Sequence, residues 1–293
     1  SQAGPILASV PYVALVGGLL LLFRRHYRPS KDDGGWQIAT TPRCVDLRKW
    51  RRLATLACFG GIAVLAALPV RALIDKIETT ANLTNAAYEL RFEIGHSALS
   101  ALAGATLMLL LAPILAWALL HLRRWRWTLV TAIVILLATP ASIVGVGLIQ
   151  ICNRPGVLGD FYDSPAIIVA GYVVRFLPYA MLLFVPALAR VPSDLPQAAR
   201  VDGCDWLGVQ RHVYIPAIVP AAPTVWLILL LLCFGEIGST VLVAPPGWEM
   251  ASVRAFTLLH FGVYHDLAVL ALLSTACTIV PWLALLWLVH RRK

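Results

Sequence analysis

Seven runs of apolar residues, each near twenty long, dominate this chain: 5–23, 53–70, 97–120, 128–151, 165–189, 221–244 and 267–290. A helix needs about 20 apolar residues to cross the hydrocarbon of a bilayer. No water reaches that depth, so each backbone N–H and C=O must be satisfied by the protein, which leaves helices and closed barrels. The runs lack the apolar/polar alternation of barrel strands. The expected fold is therefore all-α, a polytopic membrane bundle of about seven spans. Pro11, Pro113, Pro140, Pro178 and Pro281 lie inside the runs and are tolerated where neighbouring helices re-satisfy the freed carbonyls. Charged residues are only 13% of the chain, against about 25% in soluble domains.

Lys and Arg set the orientation. Eighteen of the 24 fall in the alternate loops 24–52, 123–126, 190–211 and 291–293. The opposite loops hold Arg71, Lys76, Arg91, Arg154 and Arg254, and Arg175 sits inside a run. Such a bias marks the basic loops as cytoplasmic, with the N-terminus outside and the C-terminus inside. The net charge of +9 thus reflects topology. No RNA- or DNA-binding signature interleaves aromatic residues with the basic ones, and no nucleic-acid partner is expected.

The linker 24–52 contains Lys31-Asp32-Asp33-Gly34-Gly35, a flexible polar stretch of the kind that separates modules. It divides an N-terminal span at 1–23 from a six-span domain at 53–293. The exterior segment 71–96 is long enough for an interfacial helix. No internal repeat is visible. Cys44, Cys58, Cys152, Cys204, Cys233 and Cys277 are far apart, without a Cys-x-x-Cys pair, and read as small apolar residues in helices. The chain begins with Ser1, as a processed chain or the C-terminal piece of a longer one would.

One cytoplasmic segment, 190–220, breaks the apolar pattern. Residues 195–201 favour a short helix, and Gly203 permits a turn that a Cβ would resist. A second helical piece over 205–214 presents Trp206, Val209 and Val213 at near-helical spacing, and Pro216 and Pro220 restart the chain. Read physically, it is an amphipathic connector on the membrane surface. Its residues are Gln197-Ala198-Ala199, then Gly203 after three, then Val213-Tyr214-Ile215-Pro216 after nine more.

That spacing resembles the signature of permease subunits of binding-protein-dependent ABC importers: Glu-Ala-Ala, three residues, Gly, nine residues, Ile-x-Leu-Pro. Here Gln stands for Glu, Val for Ile and Ile for Leu. The flanking stretches Val173-Val174-Arg175-Phe176-Leu177-Pro178-Tyr179-Ala180, Phe234-Gly235-Glu236-Ile237-Gly238-Ser239-Thr240 and Pro245-Pro246-Gly247-Trp248 are similar to the ferric-iron and thiamine branch. The resemblance covers about residue 97 to the end.

It implies a MetI-like permease core in a bacterial inner membrane, carrying ferric iron first, or thiamine, phosphonate or another small anion. In the iron branch two homologous halves are often fused, and the span at 5–23 fits the last helix of a preceding half. The implied partners are an ABC ATP-binding subunit, an extracytoplasmic solute-binding protein and a second permease half or subunit. Ala198, Ala199 and Gly203 would allow close backbone approach to the ATP-binding subunit. Gln197, Asp202, Trp206, Arg211 and Pro216 complete the docking set. The chain has no Gly-x-x-x-x-Gly-Lys-Ser/Thr run, so it does not bind ATP in that way. Hydrolysis falls to the partner, and no cofactor is expected.

Arg175 and Glu236 are charges inside apolar runs, at similar depth, and such groups are costly and face the bundle interior. They are expected to form a structural pair that fixes helix register, with a role in gating or the pathway, beside Ser239, as the alternative. His260, His265, Tyr264 and Asp266 form an outer cluster. The histidines are five residues apart with no third ligand, which favours interfacial hydrogen bonds over a metal site. Asp160 and Asp163 are a conceivable acid/base pair but read as a solvated turn before Pro165. Trp125, Trp127, Trp282 and Trp287 suit interface or lipid-facing positions. The competing function is a membrane enzyme on lipid or prenyl substrates using Asp160 and Asp163; a third is an accessory protein without transport activity.

Overall fold

The computed structural model describes residues 51–76, 85, 87–122 and 124–291. The span expected at 5–23 and the linker up to residue 50 lie outside them. The described residues fold into helices in the order α1 (Arg51–Ile74), α2 (Arg91–His121), α3 (Arg126–Ala138), α4 (Ala141–Cys152), α5 (Val157–Tyr162) and α6 (Ala166–Ala189). Then come α7 (Asp194–Val201), α8 (Trp206–Val209), a π-helical turn (Gln210–Tyr214), α9 (Ile215–Ile218) and α10 (Ala222–Phe234). The chain ends with α11 (Thr240–Val243), α12 (Ala251–Phe261) and α13 (Tyr264–Arg291).

The centre of the bundle is α2, which packs most extensively against α6 and then α10. Its buried face carries Ala101, Ala105, Ala112 and Ala116, all 0% exposed. Small residues at this spacing let helix backbones approach closely, which replaces the hydrophobic driving force that lipid removes. Met108, Tyr172, Phe184 and Leu229 fill the space between the three helices. At 31 residues, α2 is about 46 Å long at the helical rise, longer than the hydrocarbon is thick.

Among the described residues, three helices are by themselves long and apolar enough to cross a membrane: α2, α6 and α13 over Tyr264–Ala284. Two of the expected spans are broken. The run 128–151 divides into α3 and α4, which meet at 106°. Thr139 is extended there (φ −74°, ψ 123°), as a residue before proline tends to be, and Pro140 has no N–H to continue the ladder. The run 221–244 stops at Phe234, and the chain passes through 235–239 before α11. A proline expected to be a tolerated kink is thus a full break, because its flanks also abandon helical dihedrals. The exterior connection is also shorter than 71–96: α1 continues to Ile74 and α2 starts at Arg91.

Candidate functional site

The segment after α6 forms in three steps. Helix α7 ends with Cys204 N–H donating to the Ala199 carbonyl (2.9 Å) and Gly203 N–H to the Arg200 carbonyl (3.1 Å). This paired closure needs a left-handed residue after the helix, and Gly203 supplies it at φ +87°. Asp205 then caps α8, its carboxylate accepting the Gly208 N–H at 2.7 Å. Helix α8 passes directly into the π-helical turn, where Ile215 N–H donates to the Gln210 carbonyl, five residues back.

The π turn corrects the expected apolar face. A regular helix would present Trp206, Val209 and Val213 together. The extra residue of a π turn advances the buried position, so Val209 (3% exposed) and Tyr214 (6% exposed) point inward. Val213 is half-buried against the edge of the same core and also lines a groove of about 710 Å³ with Arg190, Leu195, His212 and Pro216. Trp206 lies at the surface, 58% exposed.

Gln197, Ala198, Asp202, Gly203, Trp206, Arg211 and Pro216 are all exposed, and Ala199 is half-buried. Leu195, Val201, Trp206 and Leu207 add large apolar side chains to the same exposed segment. An apolar patch rimmed by polar groups marks an interaction surface.

Three residues of this site escape sequence reasoning. The last turn of α2 reaches the segment through Trp117 and His121. The Tyr214 hydroxyl is 2.8 Å from His121 Nε2, and the edges of the Trp206 and Tyr214 rings meet Trp117, with centroids 6.0 and 6.2 Å away. His121 sits where an apolar run meets a basic loop, and Tyr214 occupies a variable position of the spaced motif. Neither position carries a signal in one sequence.

The expected pairing of Arg175 with Glu236 is not formed. Arg175 Nη1 donates to the Thr139 carbonyl at 2.5 Å. Glu236 Oε1 accepts from the Ser239 backbone N–H (3.0 Å) and hydroxyl (3.3 Å). Each charge therefore serves a broken helix: one satisfies a carbonyl at the end of α3, the other an orphan N–H before α11. The breaks touch, since a Cβ on Gly238 would fall 2.6 Å from the Cβ of Ala141. Ser239 is buried at this junction.

The outer histidines are not drawn together as ligands. His260 packs on the Phe256 ring (4.5 Å), and His265 Nδ1 donates to the Lys76 carbonyl at 3.3 Å, tying α13 to the end of α1. Among the described residues no group of three or more His, Cys, Asp or Glu is arranged to hold a metal. Asp160 and Asp163 are exposed, on α5 and its C-cap rather than in a loop. Trp125 and Trp127 are exposed and Trp282 is half-buried; the side chain of Trp287 is outside the described set.

Residues 108–290 match the family described as binding-protein-dependent transport system inner membrane component, and the chain belongs to that family. A protein named as the PhnV permease of a 2-aminoethylphosphonate transport system in Salmonella paratyphi A is 28% identical over 176 residues. The match takes in 56% of this chain and 63% of that relative's length. A bacterial ABC transporter for import of the acidic polysaccharide alginate has the same fold, with a TM-score of 0.62 at 17% identity over 83% of this chain and 96% of that one. The alginate transporter in complex with an alginate pentasaccharide-bound periplasmic protein matches at a TM-score of 0.52 and 16% identity, over 79% and 95%. The family is one of transport components, which sets aside the membrane-enzyme reading.

Proposed function

We propose that this chain is the membrane-spanning permease subunit of an ATP-driven importer, and that residues 194–218 are where a separate ATP-binding subunit grips it. The observation that carries this reading is the exposed segment itself. Outside the long spans, a capped helix, a glycine turn and a π turn leave Ala198, Trp206 and Arg211 exposed. A solvent-facing connector with no partner has no physical reason to keep Leu195, Val201, Trp206 and Leu207 exposed together.

The orientation follows from the two ends of α2. Its C-terminal turn holds residues 206–214, beside Arg124 and Arg126. Its N-terminal part holds residues 248–251, through Ser97 Oγ accepting the Ala251 N–H at 2.7 Å and His96 stacked on Trp248 at 3.9 Å. The first end is cytoplasmic and the second faces an extracytoplasmic solute-binding protein of the kind seen with the alginate transporter. A second permease half or subunit completes the pathway, and Arg175, Glu236 and Ser239 line or gate it at the junction of the two breaks.

The solute is small and charged. Ferric ion is the reading implied by the likeness of residues 173–180 and 234–240 to the iron and thiamine branch, and a fused permease belongs to the same reading. The PhnV relative favours a second, 2-aminoethylphosphonate. The test is purification of the tagged chain from its native host, followed by uptake of labelled ferric ion and labelled 2-aminoethylphosphonate with and without the gene. Recovery of an ATP-binding subunit and loss of one uptake are expected. Recovery of no ATP-binding subunit would contradict the assignment.

A further inference from the structure

We propose that His121 and Tyr214 form a latch through which the segment at 206–214 moves α2, making both of them positioning residues for transport. This rests on the reading of that segment as the ATP-binding subunit's docking surface. The two residues are 93 apart in sequence, and their side chains meet at 2.8 Å.

His121 is held from behind by its own helix. Its Nδ1 is 3.0 Å from the Trp117 carbonyl one turn earlier, and a carbonyl can only accept, so Nδ1 carries a proton. In the uncharged ring Nε2 is then left to accept the Tyr214 O–H. The Trp117 ring stacks on the imidazole at 4.9 Å and 14°, which removes its freedom to rotate. Tyr214 is fixed from its own side: it is 6% exposed and reaches inward because the π turn adds one residue between it and Val209. A single-turn π insertion is often found at functional positions.

The consequence is mechanical. A docked partner would push on exposed residues of α7 and α8. Chain connectivity passes that push to α6 and α10, which flank the segment. Trp117, His121 and Tyr214 pass it also to α2, the helix at the centre of the bundle, whose far end holds residues 248–251. Coupling of this kind needs a rigid element with contacts at both sites. Helix α2 has them, at Ser97 and His121, about 36 Å apart at the helical rise.

The test uses the complex of the chain with its ATP-binding subunit in lipid nanodiscs, in a background without native cysteines. Gly95→Cys near the outer end of α2 is the reporter, since a side chain there meets nothing within 4 Å. Its labelling rate with a membrane-impermeant maleimide is measured with and without ATP and vanadate. ATP and vanadate should change that rate in the otherwise unaltered chain. Tyr214→Phe, which deletes one oxygen, should cut the change at least threefold while the ATP-binding subunit still co-purifies. His121→Gln, which keeps an acceptor for the tyrosine, should retain more of the change than His121→Phe. An undiminished change in Tyr214→Phe overturns the latch, as does no change in the unaltered complex. If Tyr214→Phe and His121→Gln both lose the ATP-binding subunit, the pair only shapes the segment and the latch is wrong. Failure of the unaltered chain to bind any ATP-binding subunit would instead sink the importer reading itself.

Discussion

The exposed segment 194–218 and the breaks at 139–140 and 235–239 are both irregular backbone, in opposite surroundings. Most side chains of the segment are exposed, Gln197, Trp206 and Arg211 among them, and are free to face a partner. The breaks lie inside apolar runs, where each orphan backbone group must find a partner in the protein. Arg175 reaches the Thr139 carbonyl, Glu236 takes the Ser239 N–H, and Ser252 Oγ donates to the Glu236 carbonyl at 3.0 Å. Charge in the open segment is available for recognition, whereas charge at the breaks is spent on backbone. A cation and an anion at similar depth therefore need not be an ion pair.

Four changes would break or sharpen this contrast. Gly238→Leu should have the largest effect, because its side chain must enter the contact with Ala141. Overpacking of this kind costs about 1–3 kcal/mol, here toward the upper end, and thermal denaturation in detergent should show it. Arg175→Met should come next, since it leaves the Thr139 carbonyl without a donor, at a cost of about 1–3 kcal/mol. Glu236→Gln should be milder in the same assay, because an amide oxygen still accepts from Ser239.

Gly203→Val forces a branched residue into the left-handed region at about 1–2 kcal/mol. Its effect should stay local, so hydrogen exchange should speed up over 194–204 while the melting temperature of the bundle holds. The smallest effect belongs to a double-mutant cycle of Arg175→Met and Glu236→Gln. With no shared hydrogen bond, their interaction energy should fall below about 0.5 kcal/mol; a larger value would restore the ion pair.

The segment 194–218 was legible in the sequence because it interrupts an apolar background with polar residues, glycine and proline at fixed offsets. Gly203 at the turn and the helix before it are where the spacing puts them. The π turn was not legible, since Gln210 to Tyr214 have ordinary helical propensities and tertiary burial of Tyr214 selects the wider turn. The breaks were hidden for a related reason. Residues 128–151 and 221–244 are apolar enough on average to read as single spans, and hydropathy reports burial in lipid without reporting the path of the chain. Pro140 gave a hint, but Pro113, Pro178 and Pro281 lie within continuous helices, so proline alone does not distinguish a kink from a break. What marks the break is the extended backbone of Thr139 and Pro140, and that is a property of the folded bundle.

The most direct test of the central claim is cysteine crosslinking from Ala198 in the assembled complex, with native cysteines replaced. Ala198→Cys should form an adduct with the ATP-binding subunit, and its yield should change when ATP is added. Reaction only with lipid, or labelling from the outer face of intact cells by an impermeant reagent, would contradict the account.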